Sequence, residues 1–221
     1  MSDFSAARRN MVDGQVRTSD VTDIRIIDAM LTLPREAFVP DDQRAMAYLD
    51  LDLTVSQKGA PKRYLIKPMV VAKMMQAAEI RSTDNVLVVG CATGYTAALA
   101  AKLASRVTAT ESDPALAATA ARVLATLGLG GVSVVTAAAP DGAPANAPYD
   151  VIVLEGATEV VPHALYAQLA PEGRLVGVFA TSRPQRAVII THSYSDFGDR
   201  PLFDASAPIL PGLERPAAFV F

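Results

Sequence analysis

The chain is poor in the side chains that most enzymes use for acid–base, thiol or metal chemistry. Among its 221 residues are one cysteine, two histidines and no tryptophan. A lone Cys91 excludes an intrachain disulfide and a four-thiolate zinc site, and it fits a reducing cytoplasm as the expected location. No run approaches the roughly 18 uninterrupted apolar residues of a membrane span. The segment 1–13 carries Asp3, Arg8, Arg9 and Asp13 and lacks the apolar stretch of a signal peptide. A formal charge of −3 supplies no basic field for a phosphate backbone, so neither nucleic acid nor membrane is an expected partner. The local basic cluster Lys58, Lys62, Arg63 and Lys67 is short enough to be a solvated face.

What is present is apolar and periodic. With 51% hydrophobic residues, the chain can bury a sizeable core. From Asn85 onward, short β-branched runs alternate with helical ones. Strands are expected at 86–89, 107–111, 132–136, 151–154, 174–179 and 187–192, with a further one possible at 217–221. Helices are expected at 95–104, 114–127 and 162–169. Such alternation gives right-handed crossovers and a mostly parallel, doubly wound α/β sheet. Ser112 or Asp113 can cap the helix that Pro114 opens, and Gly128 ends it. Upstream, 4–16 and 24–33 read as helices, 41–66 as irregular, and Pro68 starts another helix. The chain therefore divides into an N-terminal extension, 1–66, and a core, 67–221, expected to form one compact unit.

The sharpest local signal is Val86-Leu87-Val88-Val89-Gly90-Cys91-Ala92-Thr93-Gly94-Tyr95, a buried strand running into a turn of small residues and then a helix. Gly90 permits a sharp turn, and Gly94 permits a ligand or a helix to come close to the backbone. Glu111 follows Gly94 by 17 residues at the end of the next strand, where a carboxylate can accept both hydroxyls of a ribose. The spacing departs from Gly-x-Gly-x-x-Gly, because Ala92 and Tyr95 occupy the second and third glycine positions. A nucleoside cofactor without a pyrophosphate fits better than a dinucleotide.

These residues resemble the protein-L-isoaspartate (D-aspartate) O-methyltransferase family over nearly the whole chain. Leu33-Pro34-Arg35-Glu36-Ala37-Phe38-Val39-Pro40 and Ala47-Tyr48-Leu49-Asp50 are similar to its N-terminal motifs. The Gly90 loop with Tyr95 is similar to its first cofactor motif, and Glu111 to its ribose acid. Ala147 to Val153 and Pro162 to Val176 resemble its later strand motifs. The resemblance implies a Rossmann-like class I methyltransferase fold and S-adenosylmethionine as cofactor. It implies methyl transfer to the free carboxylate of isoaspartyl residues in proteins or peptides, a repair reaction. A carboxylate is ionised near neutrality, so the transfer needs placement rather than a base, and His163 and His192 are expected to be dispensable.

By the same resemblance, Val89, Gly90, Cys91, Ala92, Gly94, Tyr95, Glu111, Ser112, Ala138 and Glu155 line the cofactor site, and Tyr64, Ile66 and Lys67 stand in the substrate loop. No metal site is expected, and the chain is read as a monomer or weak homodimer. The loop departs from the family's usual Thr-Ile-Ser-x-Pro, since Arg63-Tyr64-Leu65-Ile66-Lys67-Pro68 places Ile66 at the hydroxyl position. Arg63, Tyr64 or Lys67 is then the expected partner of an acceptor carboxylate. Val88 replaces a Glu, Ala92 a Gly, and Ala137 or Ala138 an Asp. Glu155 stands where small residues are usual and is expected to bring a charge to the crevice. A methyltransferase for a different acceptor and a catalytically silent cofactor-binding or scaffold homologue are the alternative readings.

Overall fold

The structure is a computed structural model and describes residues 4–57, 59–194 and 196–216. Lys58 of the basic cluster and the possible strand at 217–221 lie outside the described residues. A seven-stranded sheet forms the centre, in the order β5-β4-β3-β6-β7-β8-β9. Its strands are β3 (Asn85–Val89), β4 (Arg106–Glu111), β5 (Ser133–Thr136), β6 (Tyr149–Thr158), β7 (Leu169–Phe179), β8 (Arg186–Ser193) and β9 (Asp196–Asp204). The first five run parallel, and β8 and β9 add an antiparallel edge. The expected doubly wound α/β architecture is present.

Alternate residues of each central strand serve different cores. Val86, Val88, Val151, Val153, Val176 and Val178 pack with the helices α1 (Ser5–Met11), α2 (Ile24–Thr32), α3 (Pro68–Ala77), α4 (Tyr95–Ala101) and α5 (Pro114–Thr126). Leu87, Val89, Ile152, Leu154 and Leu175 pack with Leu165 and Tyr166 of α6 (His163–Tyr166) and with Leu210 and Leu213. Both faces are covered, which is why these strands read as unbroken apolar runs rather than alternating ones.

Local chemistry sets the helix starts. Asp23 caps α2 through the Arg25 amide, and Asp113, not Ser112, caps α5 through the Ala115 amide at 2.8 Å. Pro68 and Pro114 occupy first-turn positions, where a missing N–H costs nothing. Two helices are shorter than expected. α4 ends at Ala101 in tighter closing turns, and α6 stops at Tyr166 because β7 already begins at Leu169.

The segment expected to be irregular, 41–66, contains a two-stranded antiparallel ladder. It joins β1 (Leu53–Thr54) to β2 (Tyr64–Leu65), pairing Leu53 with Leu65 and Thr54 with Tyr64. Two residues per strand are too few to write a period in the sequence. This ladder aims residue 63 at the sheet, and the Arg63 carbonyl accepts the Val55 amide at 2.8 Å.

Candidate cofactor and substrate site

The strand order reverses at β3, whose neighbours are β4 and β6. Ligands of open α/β sheets bind beyond the carboxyl ends of strands at such a switch point. Val89, Glu111 and Glu155 reach that end from β3, β4 and β6. The chain turns sharply after Val89: Gly90 has φ +70° and the Cys91 amide donates to the Thr110 carbonyl at 2.8 Å. Gly94, at φ +99°, begins α4. A side chain there would meet Ala120 Cβ at 3.3 Å, so its role is to let α5 pack closely.

Between these glycines, Ala92 is left-handed at φ +51°, a conformation that an L residue adopts at a cost of about 1–2 kcal/mol. Its amide donates to Glu111 Oε2 at 2.7 Å, which ties the loop to β4.

Glu111 is fully buried and its carboxylate is saturated. Oε1 accepts from Arg63 Nε at 3.1 Å, Ser112 Oγ at 3.2 Å and the Asp113 amide at 3.2 Å. Oε2 accepts from Arg63 Nη2 at 3.0 Å as well as from Ala92. Arg63 Nη2 also donates to the Gly90 carbonyl at 2.6 Å. The Arg63 side chain is 4% exposed and that of Glu111 0%, so this is an interior ion pair. Arg63 is thus spent on Glu111 and is not free for an acceptor carboxylate, contrary to one of the three expected roles in the loop.

Leu210 covers the same glycine turn. It is buried, and its amide donates to Ala157 O at 2.8 Å while the Ala157 amide donates to Pro208 O at 2.8 Å. A Cβ on Gly90 would lie 2.5 Å from Leu210 Cδ2 and 2.8 Å from Arg63 Nη2. The space above Gly90 is filled by the chain's own side chains. A carboxylate offers about four lone-pair directions, and those of Glu111 are already taken. This closed arrangement does not admit the ribose of S-adenosylmethionine at Glu111. A separate cavity of about 490 Å³ lies beside it, under the β1–β2 connection, lined by Phe38, Val55, Gln57, Thr93, Asp113 and Arg122 among others.

Behind the loop is a second buried polar group, which the sequence did not single out. The Arg35 guanidinium donates from Nε to Ala47 O at 2.9 Å and from Nη2 to Ile66 O at 2.8 Å, and it lies 4.5 Å from the Tyr95 ring centroid. Tyr95 also meets Phe38 edge-on at 5.4 Å. The N-terminal motif around Arg35 therefore clamps the substrate loop onto the cofactor loop. Its neighbour Glu36 accepts from Arg8 at 3.2 Å and from the Tyr48 hydroxyl, joining the second motif to α1.

The remaining expected residues are placed as follows. Glu155 is buried, and among the described residues neither of its oxygens has a partner at full hydrogen-bond geometry, the Thr96 hydroxyl and the Ile66 backbone making at most a loose contact. Desolvation pushes its carboxyl up to about 7, opposed by the Thr96 hydroxyl and the Arg35 charge. Burial thus disfavours the charge expected at this position. Ile66 is buried. The Lys67 amide donates to Asp52 Oδ1 at 3.0 Å, with the ammonium 4.0 Å from Oδ2. Tyr64 is half-buried in β2, and Ala138 is exposed beyond β5. Cys91 is buried, and burial pushes its thiol up, against thiolate reactivity. His192 Nδ1 lies 3.0 Å from the Ala170 carbonyl and its ring stacks on Phe197, while His163 meets Tyr166 edge-on.

Known proteins share this fold. A protein-L-isoaspartate O-methyltransferase of solved structure superposes with a TM-score of 0.83 over 94% of this chain and 67% of its own, at 24% identity. A Plasmodium falciparum structure, described as a putative protein-L-isoaspartate O-methyltransferase in complex with S-adenosyl-L-homocysteine, gives 0.75 over 95% of this chain and 99% of its own, at 15% identity. These likenesses show the fold. In sequence, the protein-L-isoaspartate O-methyltransferase of Rhodopseudomonas palustris (strain ATCC BAA-98 / CGA009) is 38% identical over 206 residues, covering 92% of this chain and 93% of the relative. That of Roseiflexus castenholzii is 38% identical over 174 residues, covering 79% and 78%. The family profile for protein-L-isoaspartate (D-aspartate) O-methyltransferase matches residues 7–196, from α1 through the Gly90 loop to the start of β9. With a family match over residues 7–196 and 38% identity to a relative across 92% of its length, the chain belongs to the protein-L-isoaspartate O-methyltransferase family.

Proposed function

We propose that this chain catalyses the reaction after which its family is named, moving a methyl group from S-adenosylmethionine to the free carboxylate of isoaspartyl residues in proteins or peptides. The observation that carries this reading is Glu111 held beside Gly90 at the switch point of a chain that matches the family over residues 7–196. The residues proposed to face the cofactor are Val89 to Ala92, Gly94, Tyr95, Glu111, Ser112, Ala138 and Glu155. Tyr64, Ile66 and Lys67 are proposed to face the acceptor. Ile66 can offer it only van der Waals contact, so orientation falls to the backbone that Arg35 fixes.

A protein acceptor, rather than nucleic acid, is supported by the net charge of −3. Among the described residues no helix is long and apolar enough to cross a membrane. We read the chain as a monomer or weak homodimer acting in the cytoplasm. The apolar cluster running from Met11 to Ala207 supports treating 1–66 and 67–221 as one unit. The test is labelled-methyl transfer to an isoaspartyl peptide and to its aspartyl twin. Incorporation into the first alone is expected, and equal background in both would remove the reading.

The closure of the crevice favours a second reading, a homologue that keeps the fold without turnover. Methyl transfer to any acceptor excludes it.

A further inference from the structure

We propose that Arg63 is a built-in occupant of the cofactor crevice, a guanidinium latch that must leave Glu111 before a nucleoside can take its place. The proposal rests on the reading that this crevice is the cofactor site. Three observations carry it. The guanidinium meets the carboxylate through both Nε and Nη2, at 3.1 and 3.0 Å, using the geometry in which a carboxylate would receive two ribose hydroxyls. The same Nη2 holds the Gly90 carbonyl at 2.6 Å, so one side chain bridges the ends of β3 and β4. Leu210 seals the turn from the other side, close against both Gly90 and Gly156.

The latch is mounted on a short element. Arg63 follows the connection between β1 and β2, and its amide donates to Ser56 Oγ at 3.1 Å within that connection. Among the described residues, the base of this strap is paired through the two-residue ladder of Leu53 with Leu65 and Thr54 with Tyr64 and through the Val55 amide on the Arg63 carbonyl at 2.8 Å. The adjoining cavity, lined by Asp41, Asp113 and Gln57 as well as by Arg44 and Arg122, is a polar space of mixed charge beside the crevice into which the guanidinium can swing. Withdrawing the Arg63 side chain uncovers Glu111 without breaking any pairing of the seven-stranded sheet, to which Arg63 does not belong. Because latch and ribose compete for one carboxylate, the cofactor's apparent affinity is reduced by the fraction of molecules that are latched.

The experiment combines two readouts on the full chain, with S-adenosylhomocysteine as the probe. Calorimetric titration compares the wild type with Arg63→Gln and with Leu210→Ala, the second of which leaves the ion pair intact. NMR of the free wild type follows the Arg63 Nε–H, assigned by its absence in Arg63→Gln or, if that variant does not fold, by selective labelling and through-bond correlation. A protected Nε–H that is lost on saturation, with affinity at least tenfold tighter in a folded variant, is the expected result. Wild-type binding as tight as both variants, or an unprotected Nε–H, overturns the latch and leaves the cofactor reading standing. A protected Nε–H with no binding by the wild type or any folded variant overturns the competition by removing the cofactor reading on which it rests.

Discussion

Arg63 and Glu111, 48 residues apart in sequence, form a buried ion pair that joins the β1–β2 strap to the end of β4. Taking two charges out of water is costly, and only their mutual contact and further hydrogen bonds offset it. Removing one partner therefore costs more than removing both. Arg63→Met is expected to lower unfolding free energy by about 3–5 kcal/mol, and Arg63→Met with Glu111→Leu by distinctly less. Urea denaturation of the single and double variants reads this, and a single-variant loss below about 1 kcal/mol would place the guanidinium in solvent.

Ala92 at φ +51° predicts a stabilising substitution. Glycine removes the left-handed penalty but adds unfolded-state freedom, so Ala92→Gly should raise stability by about 0.5–1 kcal/mol. The check is the urea midpoint at unchanged slope. A lower midpoint would mean that the methyl group's packing outweighs its backbone strain.

Glu155 predicts a pH dependence whose sign follows from its raised pKa. Unfolded, the carboxyl titrates at its ordinary value of 4.5, and folded at about 7. Between those values the folded state holds a proton that the unfolded state has lost, so stability falls as pH rises through the window and levels off above it. Glu155→Gln should remove this decline, giving a variant more stable than the wild type at pH 8 relative to pH 4.5. Parallel melting-temperature profiles for the two proteins would contradict a buried, desolvated Glu155.

Arg35 is expected to be irreplaceable by lysine. Its fork reaches the Ala47 and Ile66 carbonyls together, whereas one ammonium on a flexible stem cannot reproduce the planar contact with Tyr95. Arg35→Lys should cost about 2–3 kcal/mol, from one strained or lost charged hydrogen bond. If the variant folds, its amide exchange should rise at Leu65 and Ile66 before it rises in β3.

The sequence made the sheet legible where strands are buried on both faces, because β3 and β6 carry unbroken apolar runs, Val86 to Val89 and Val151 to Leu154. It concealed β9, whose Asp196-Phe197-Gly198-Asp199-Arg200-Pro201 reads as a loop. An edge strand tolerates charge and proline because one side of it needs no partner. The site was legible in part. Gly90 and Glu111 announced themselves by spacing, while Arg63 read as one member of a basic cluster. Nothing local marks a partner 48 residues away, and the two-residue ladder that aims it is too short to show a period. Leu210 was invisible for the same reason, since Pro208-Ile209-Leu210-Pro211 carries no element signal. Arg35 sat in plain view between Pro34 and Phe38, but its burial follows from tertiary packing alone.

The most direct test of the account is a crystal structure of the wild-type chain grown at saturating S-adenosylhomocysteine. The ribose hydroxyls are expected on Glu111, with the Arg63 guanidinium withdrawn from Gly90 and Glu111. Nucleoside density at any other place, with Arg63 still bridging Gly90 and Glu111, would contradict it.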